Sequence, residues 1–192
     1  MDKTLKLALL SLLFNAVFSV FHIVFGITTY SWWLFTTGLY YALLSLVRFV
    51  VLRTKKQNDF ATKFSGVMLM VLVLPLVGMV ILAVVRDRGF VLHEIVMIAM
   101  ATFSFTKITL AIINLVKAQK SLSSKLFALR NISLSEACVS LFALQRSMLV
   151  SFEGMTEIEI QIMNVATGTA VCVIVFILGL HLAKNKRPQF NI

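Results

Sequence analysis

Six long apolar stretches divide this chain, and they decide the solvent in which it can fold. They run over residues 7–27, 33–52, 64–85, 95–116, 132–150 and 160–183. Each is close to the about 20 residues that a helix needs to cross a bilayer. In hydrocarbon every backbone amide must be satisfied within its own segment or in a closed barrel. The runs lack the period-two alternation of barrel strands, so the helix remains. With 59% hydrophobic residues among 192, only short connections and two tails are left for water. The sequence therefore predicts an all-α, polytopic membrane protein of six transmembrane helices, forming one integral domain without a separate soluble one.

The net charge of +10 is distributed by loop. With the N-terminus inside, the cytoplasmic segments hold Lys3, Lys6, Arg53, Lys55, Lys56, Lys63, Lys117, Lys120, Lys125, Arg130, Lys184, Lys186 and Arg187. The opposite side has Arg86 and Arg88 against Asp87, Glu94, Glu153, Glu157 and Glu159. Basic residues stay on the cytoplasmic side, which predicts a plasma-membrane protein with both termini cytoplasmic. The basic loops read as topology signals and contacts for anionic headgroups, not as a nucleic-acid surface. The first apolar run is longer than a signal-peptide core and lacks a small-x-small cleavage site, so it reads as a retained helix. Cys138 and Cys172 lie within spans without Cys-x-x-Cys spacing, indicating neither a disulfide nor a metal site.

Tyr30, Trp32 and Trp33 crowd the short connection after the first span and mark a membrane boundary. They predict that helices 1 and 2 form a tight antiparallel pair. Residues 117–130 read as a solvated loop, and Arg86-Asp87-Arg88-Gly89 as an outer turn. Pro75 and Gly78 predict a kink in helix 3. The two halves share a pattern. Phe18-Ser19-x-x-His22-Ile23 is matched by Phe103-Ser104-x-x-Lys107-Ile108, and Leu46-Val47-Arg48 by Leu144-Gln145-Arg146. Because three spans separate the copies, the pattern reads as a 3+3 inverted repeat, with matched residues at mirrored depths.

Charges at membrane depth cost about 2.5–3.5 kcal/mol each on insertion scales and turn toward protein or water. The spans contain Arg48, Lys107, Glu136 and Arg146, together with His22. At helical spacing Ser11, Asn15, Ser19, His22 and Gly26 share one face of helix 1. Thr37, Tyr41, Ser45 and Arg48 do the same on helix 2. Ser104, Lys107, Ala111 and Asn114 align on helix 4, Ser133, Glu136, Ser140 and Ser147 on helix 5, and Asn164, Gly168 and Cys172 on helix 6. One polar face on each of several helices predicts a polar seam inside the bundle, serving either close packing or a solute pathway. Arg48 and Arg146, near helix ends, are expected to snorkel, and His22 to be a hydrogen-bonded buried histidine rather than a proton relay. Lys107 lies too deep for its stem to reach water. Glu136 is the one acid within a span, so the economical expectation is a Lys107–Glu136 pair, either a static staple or one remade as a solute passes. The cations left over would favour anions.

The Ser31-Trp32-Trp33 turn with Tyr40-Tyr41-x-x-Leu44-Ser45-x-x-Arg48-Phe49, and the Asn164-x-x-Thr167-Gly168-x-Ala170-Val171 run, resemble uncharacterised six-helix membrane proteins of Gram-positive bacteria. That resemblance implies a bacterial plasma membrane and no activity. Hydrolase, zinc-protease and phosphate-loop motifs are absent from the sequence, and no enzyme or cofactor is expected. Two functions fit: a small-solute or ion transporter or channel-like protein with a pathway past Lys107, Glu136, His22, Asn15, Arg146 and Arg48, or a non-transporting membrane partner such as an assembly factor, sensor or complex subunit. Any energy for the first would come from an ion gradient or a partner ATPase.

Overall fold

The computed structural model describes residues 3–54, 60–85, 94–118, 124–151 and 154–184. The expected Arg86–Gly89 turn, Lys55, Lys56, Lys120, Glu153, Lys186, Arg187 and Pro188 lie outside them. So do the side chains of Lys3, Lys6, Ser11, Glu94, Asn114 and Lys117. Among the described residues all regular structure is helical: α1 (Lys3–Thr28), α2 (Trp32–Arg53), α3 (Phe60–Val85), α4 (Glu94–Ala118), α5 (Ser124–Ser151) and α6 (Glu157–Lys184). Four of them, α2, α3, α5 and α6, are long and apolar enough to cross a membrane. In α1 and α4 the apolar portions among the described residues are Leu12–Thr28 and Met97–Ile113.

The boundary that differs most from expectation is the start of α5. Residues 124–130 are not loop but the first turns of α5. Lys125 explains the gain in order: its ammonium donates to the carbonyls of Leu52 (2.6 Å) and Thr54 (3.1 Å) at the end of α2. A helix C-terminus offers unsatisfied carbonyls and a negative dipole end, so this lysine ties α5 to α2. Thr62 of α3 adds a bond to the Ser124 carbonyl. α3 continues through Pro75 as one helix, with the Val71 carbonyl losing its usual donor.

The turn between α1 and α2 is built by two adjoining caps. Ser31 N–H donates to Gly26 O and Tyr30 N–H to Ile27 O, while Tyr30 takes φ 52°. That is a Schellman ending with a tyrosine at the left-handed position usually held by glycine. Ser31 then caps α2 by accepting from Leu34 N–H. α6 starts with a reciprocal box. Thr156 N–H and Oγ1 both donate to Glu159 Oε2 (2.8 and 2.9 Å), and Glu159 N–H donates back to Thr156 Oγ1.

α1 packs on α2, α4 on α5 and α3 on α6, while α2, α3 and α5 meet at the centre and α5 also touches α6. Two close approaches fix these pairs. A β-carbon on Gly38 would lie 2.8 Å from Ile23 N, and one on Gly66 would lie 2.6 Å from Ala183 N. Small residues at such crossings let helix backbones touch in a solvent that offers no hydrophobic drive.

Burial is inverted relative to a water-soluble bundle. Phe14, Val17, Leu46, Phe49, Leu74, Ile81, Phe105 and Ile177 are exposed. Asn15, His22, Arg48, Glu136, Arg146 and Asn164 are buried. α5, the most polar helix, is also buried on the most sides. Apolar outer faces of this extent suit lipid, not water, and the fold is compatible with membrane insertion.

Candidate functional site

The polar stripes meet inside the bundle. Asn15, Ser19, His22 and Gly26 of α1 are buried, as are Thr37, Tyr41 and Arg48 of α2, with Ser45 half-buried. Ser104 and Ala111 of α4, Glu136, Ser140 and Ser147 of α5, and Asn164 and Gly168 of α6 are buried too. Several of these polar groups bridge helices. Ser19 Oγ donates to Gly38 O at 2.7 Å, Tyr41 OH to Ser140 Oγ at 2.9 Å, and Ser104 Oγ to Ser140 O at 3.3 Å. Ser140 Oγ donates in turn to Glu136 O at 2.7 Å, a bond within α5.

The expected Lys107–Glu136 pair does not form. Glu136 Oε2 instead lies 3.1 Å from Arg48 Nη2, with both residues 1% exposed, and the same nitrogen donates to Ser133 Oγ. Arg48 therefore turns inward from the end of α2 and does not snorkel. Two facts explain the exchange. α5 begins at Ser124, so Glu136 sits about three turns into it, deeper than a start near Ile132 implied. α2 also lies against α5 directly, bringing one guanidinium nitrogen of Arg48 to one oxygen of the Glu136 carboxylate. Arg146 does not snorkel either: it is buried, and its guanidinium carbon lies 4.6 Å from the Trp33 ring centroid.

Lys107 is left with aromatic neighbours. Its Nζ is 4.6 Å from the ring centre of Tyr41, 4.7 Å from Phe103 and 6.0 Å from Phe18. Phe18 and Phe103 stack at 3.7 Å, and Phe18 meets Tyr41 edge-on at 5.4 Å. A desolvated ammonium over such faces gains about 2 kcal/mol. The rings hold the cation without neutralising its charge or using its N–H donors. The Nζ is buried and has no hydrogen-bond partner.

Other buried polar atoms are equally unsatisfied: both amide atoms of Asn15, Ser45 Oγ, Glu136 Oε1, Tyr40 OH, His22 Nε2 and both amide atoms of Asn164. His22 keeps one bond, from Nδ1 to Phe18 O at 3.0 Å, and packs on the Phe18 ring. Each orphaned group costs about 1–3 kcal/mol and calls for a ligand, water or ion. Cys138 and Cys172 are free thiols, and among the described residues no three His, Cys, Asp or Glu side chains cluster as metal ligands.

Of the expected site residues, Arg48 pairs with Glu136, Lys107 lies over Tyr41, Phe103 and Phe18, and Asn15 and His22 flank Phe18 one turn to either side on α1. Arg146 stands apart on Trp33. The aromatic cage was not anticipated, although Phe103 and Lys107, four residues apart, necessarily share a helix face. No protein-family model, curated protein or solved structure matches the chain. The resemblance carried by the Ser31–Trp33 turn, the residues from Tyr40 to Phe49 and the run from Asn164 to Val171 thus rests on those residues and supplies no activity.

Proposed function

We propose that this protein is a small transporter or channel-like protein of the plasma membrane. In this reading it moves a small anionic solute or ion along the polar seam, with both termini in the cytoplasm and the basic loops on anionic headgroups. One observation carries the reading: an ammonium at the midpoint of a helix, held by three aromatic rings, with no counter-ion bonded to it. A packing staple would satisfy its own charge, as Arg48 and Glu136 do. Lys107 keeps its charge and its donors available, which is what an anion site in a low-dielectric interior requires. The protein acts without chemistry of its own, driven by an ion gradient or a partner ATPase.

The 3+3 inverted organisation belongs to the same proposal. It is supported by the stacking of the matched residues Phe18 and Phe103 and by the facing Gly66 and Gly179 of α3 and α6. The like pairing of α1 with α2 and of α4 with α5 also supports it.

The test is flux into proteoliposomes containing the purified protein. Wild type should admit small anions above the empty-vesicle rate, and Lys107→Gln should lower that excess at least tenfold while remaining monodisperse. Flux that ignores the Lys107→Gln change would refute a pathway past this residue. Absence of flux, combined with stoichiometric co-purification of another membrane protein, would favour the non-transporting reading.

A further inference from the structure

The unsatisfied polar atoms beside the aromatic cage lie within about one helical turn of depth, and their chemistry points to a ligand class. The depth follows from helix directions. α1 and α4 run antiparallel, because α1 pairs antiparallel with α2, α2 with α5, and α5 with α4. Their side chains meet where Phe18 stacks on Phe103. One turn back from Phe18 is Asn15, and one turn on from Phe103 is Lys107, so these two share a level. α2 and α5 are also antiparallel and are joined by the Tyr41–Ser140 bond. One turn on from Tyr41 is Ser45, and one turn back from Ser140 is Glu136, which share a level in their turn. Lys107 Nζ lies over the Tyr41 ring, one turn from Ser45 along α2, so the two pairs lie within about one helical turn of each other. Four helices thus contribute five buried, partnerless atoms to a layer about one turn deep: Asn15 Oδ1 and Nδ2, Ser45 Oγ, Lys107 Nζ and Glu136 Oε1. Asn15 is fully buried and Glu136 nearly so. Phe18, Tyr41 and Phe103 pack beside it, and Glu136 Oε2 is held by Arg48.

We propose that this layer is a binding site for a small hydroxy-carboxylate. Charge comes first. Lys107, Arg48 and Glu136 together leave one positive charge in a buried volume, and a monoanion neutralises it. Hydrogen bonding narrows the class. Lys107 and Asn15 Nδ2 need acceptors, which a carboxylate provides. Glu136 Oε1 and Asn15 Oδ1 need a donor, which a halide or a simple carboxylate lacks. An amino acid offers the donor but no net charge, leaving the excess positive charge in place. A hydroxyl beside a carboxylate meets both demands. Sites built to hydrogen-bond a hydroxyl reject analogues without it, because the site's own groups are then stranded.

This inference rests on the anion reading above, but it is tested by equilibrium binding and not by flux. Radiolabelled lactate is bound to the full chain in nanodiscs and competed with propionate, which has the charge without the hydroxyl, and with alanine, which has a donor without the net charge. Lactate should bind saturably, with both competitors at least tenfold weaker. Asn15→Leu should bring lactate and propionate within about threefold of each other. Ser45→Ala, a smaller change, should weaken lactate and keep some preference if Asn15→Leu fails to fold. Equal competition by propionate, stronger competition by alanine, or no saturable lactate binding would each overturn the assignment. Flux of other anions through a protein that does not bind lactate would leave the transport reading standing. Lactate binding without any flux would overturn that reading alone.

Discussion

Replacing Arg48 by methionine should destabilise the protein by about 3–5 kcal/mol, because the carboxylate of Glu136 would stay buried without its ion partner. The double change Arg48→Met with Glu136→Met should recover most of that loss, since well-packed apolar residues replace a buried pair at little cost. Thermal unfolding in detergent reads both, and a double variant no more stable than the single one would show that the pair is not a unit. Tyr30 gives the opposite sign. It is exposed and holds φ 52°, where an L-residue is strained. Tyr30→Gly should raise stability by about 1 kcal/mol. At this scale the sequence was half legible. The polar stripes on α1, α2, α4 and α5 followed from spacing alone. The partner of Glu136 did not, because consecutive helices suggested Lys107 while the choice depended on α2 lying against α5. Nor could spacing tell that Arg48 and Arg146 turn inward, since a long basic side chain near a helix end can reach either way.

Helices α3 and α6 touch where Gly66 sits against the Ala183 backbone, whereas a β-carbon added to Gly78 would meet nothing within 4 Å. The same substitution should therefore act in opposite directions. Gly66→Ala should cost about 1–3 kcal/mol through overpacking. Gly78→Ala should gain about 0.5–1 kcal/mol by removing a flexible residue from a helix interior. Melting temperatures of the two variants check this, and equal shifts would mean the α3–α6 contact is looser than described. Six helices and their alternation were legible because apolar length is set by the bilayer. The start of α5 was not. Ser121, Ser123 and Ser124 among basic residues have the composition of a loop, and tertiary contacts of Lys125 with the end of α2 and of Thr62 with the Ser124 carbonyl account for helix from Ser124 onward.

Across the described residues, an apolar exterior surrounds an interior that contains Arg48, Lys107, Arg146 and Glu136 with several unpaired amides and hydroxyls. In water that arrangement would fail on both counts. In lipid the exterior is matched, and the remaining polar deficit lies in the layer of Asn15, Ser45, Lys107 and Glu136. The seam was legible as a set of faces. Its chemistry was not, because the level at which those faces meet depends on helix register, which tertiary contacts set.

The most direct measurement asks whether that layer is open to a solute from water. In a Cys138→Ala, Cys172→Ala background, Ser45→Cys places a thiol one turn from Tyr41, whose ring Lys107 covers. An open layer with excess positive charge predicts that a water-soluble anionic methanethiosulfonate modifies this thiol in intact membranes, faster than its cationic analogue does, and that Lys107→Gln removes the difference. A thiol at position 45 that neither reagent reaches, in protein that is folded and membrane-inserted, would contradict it.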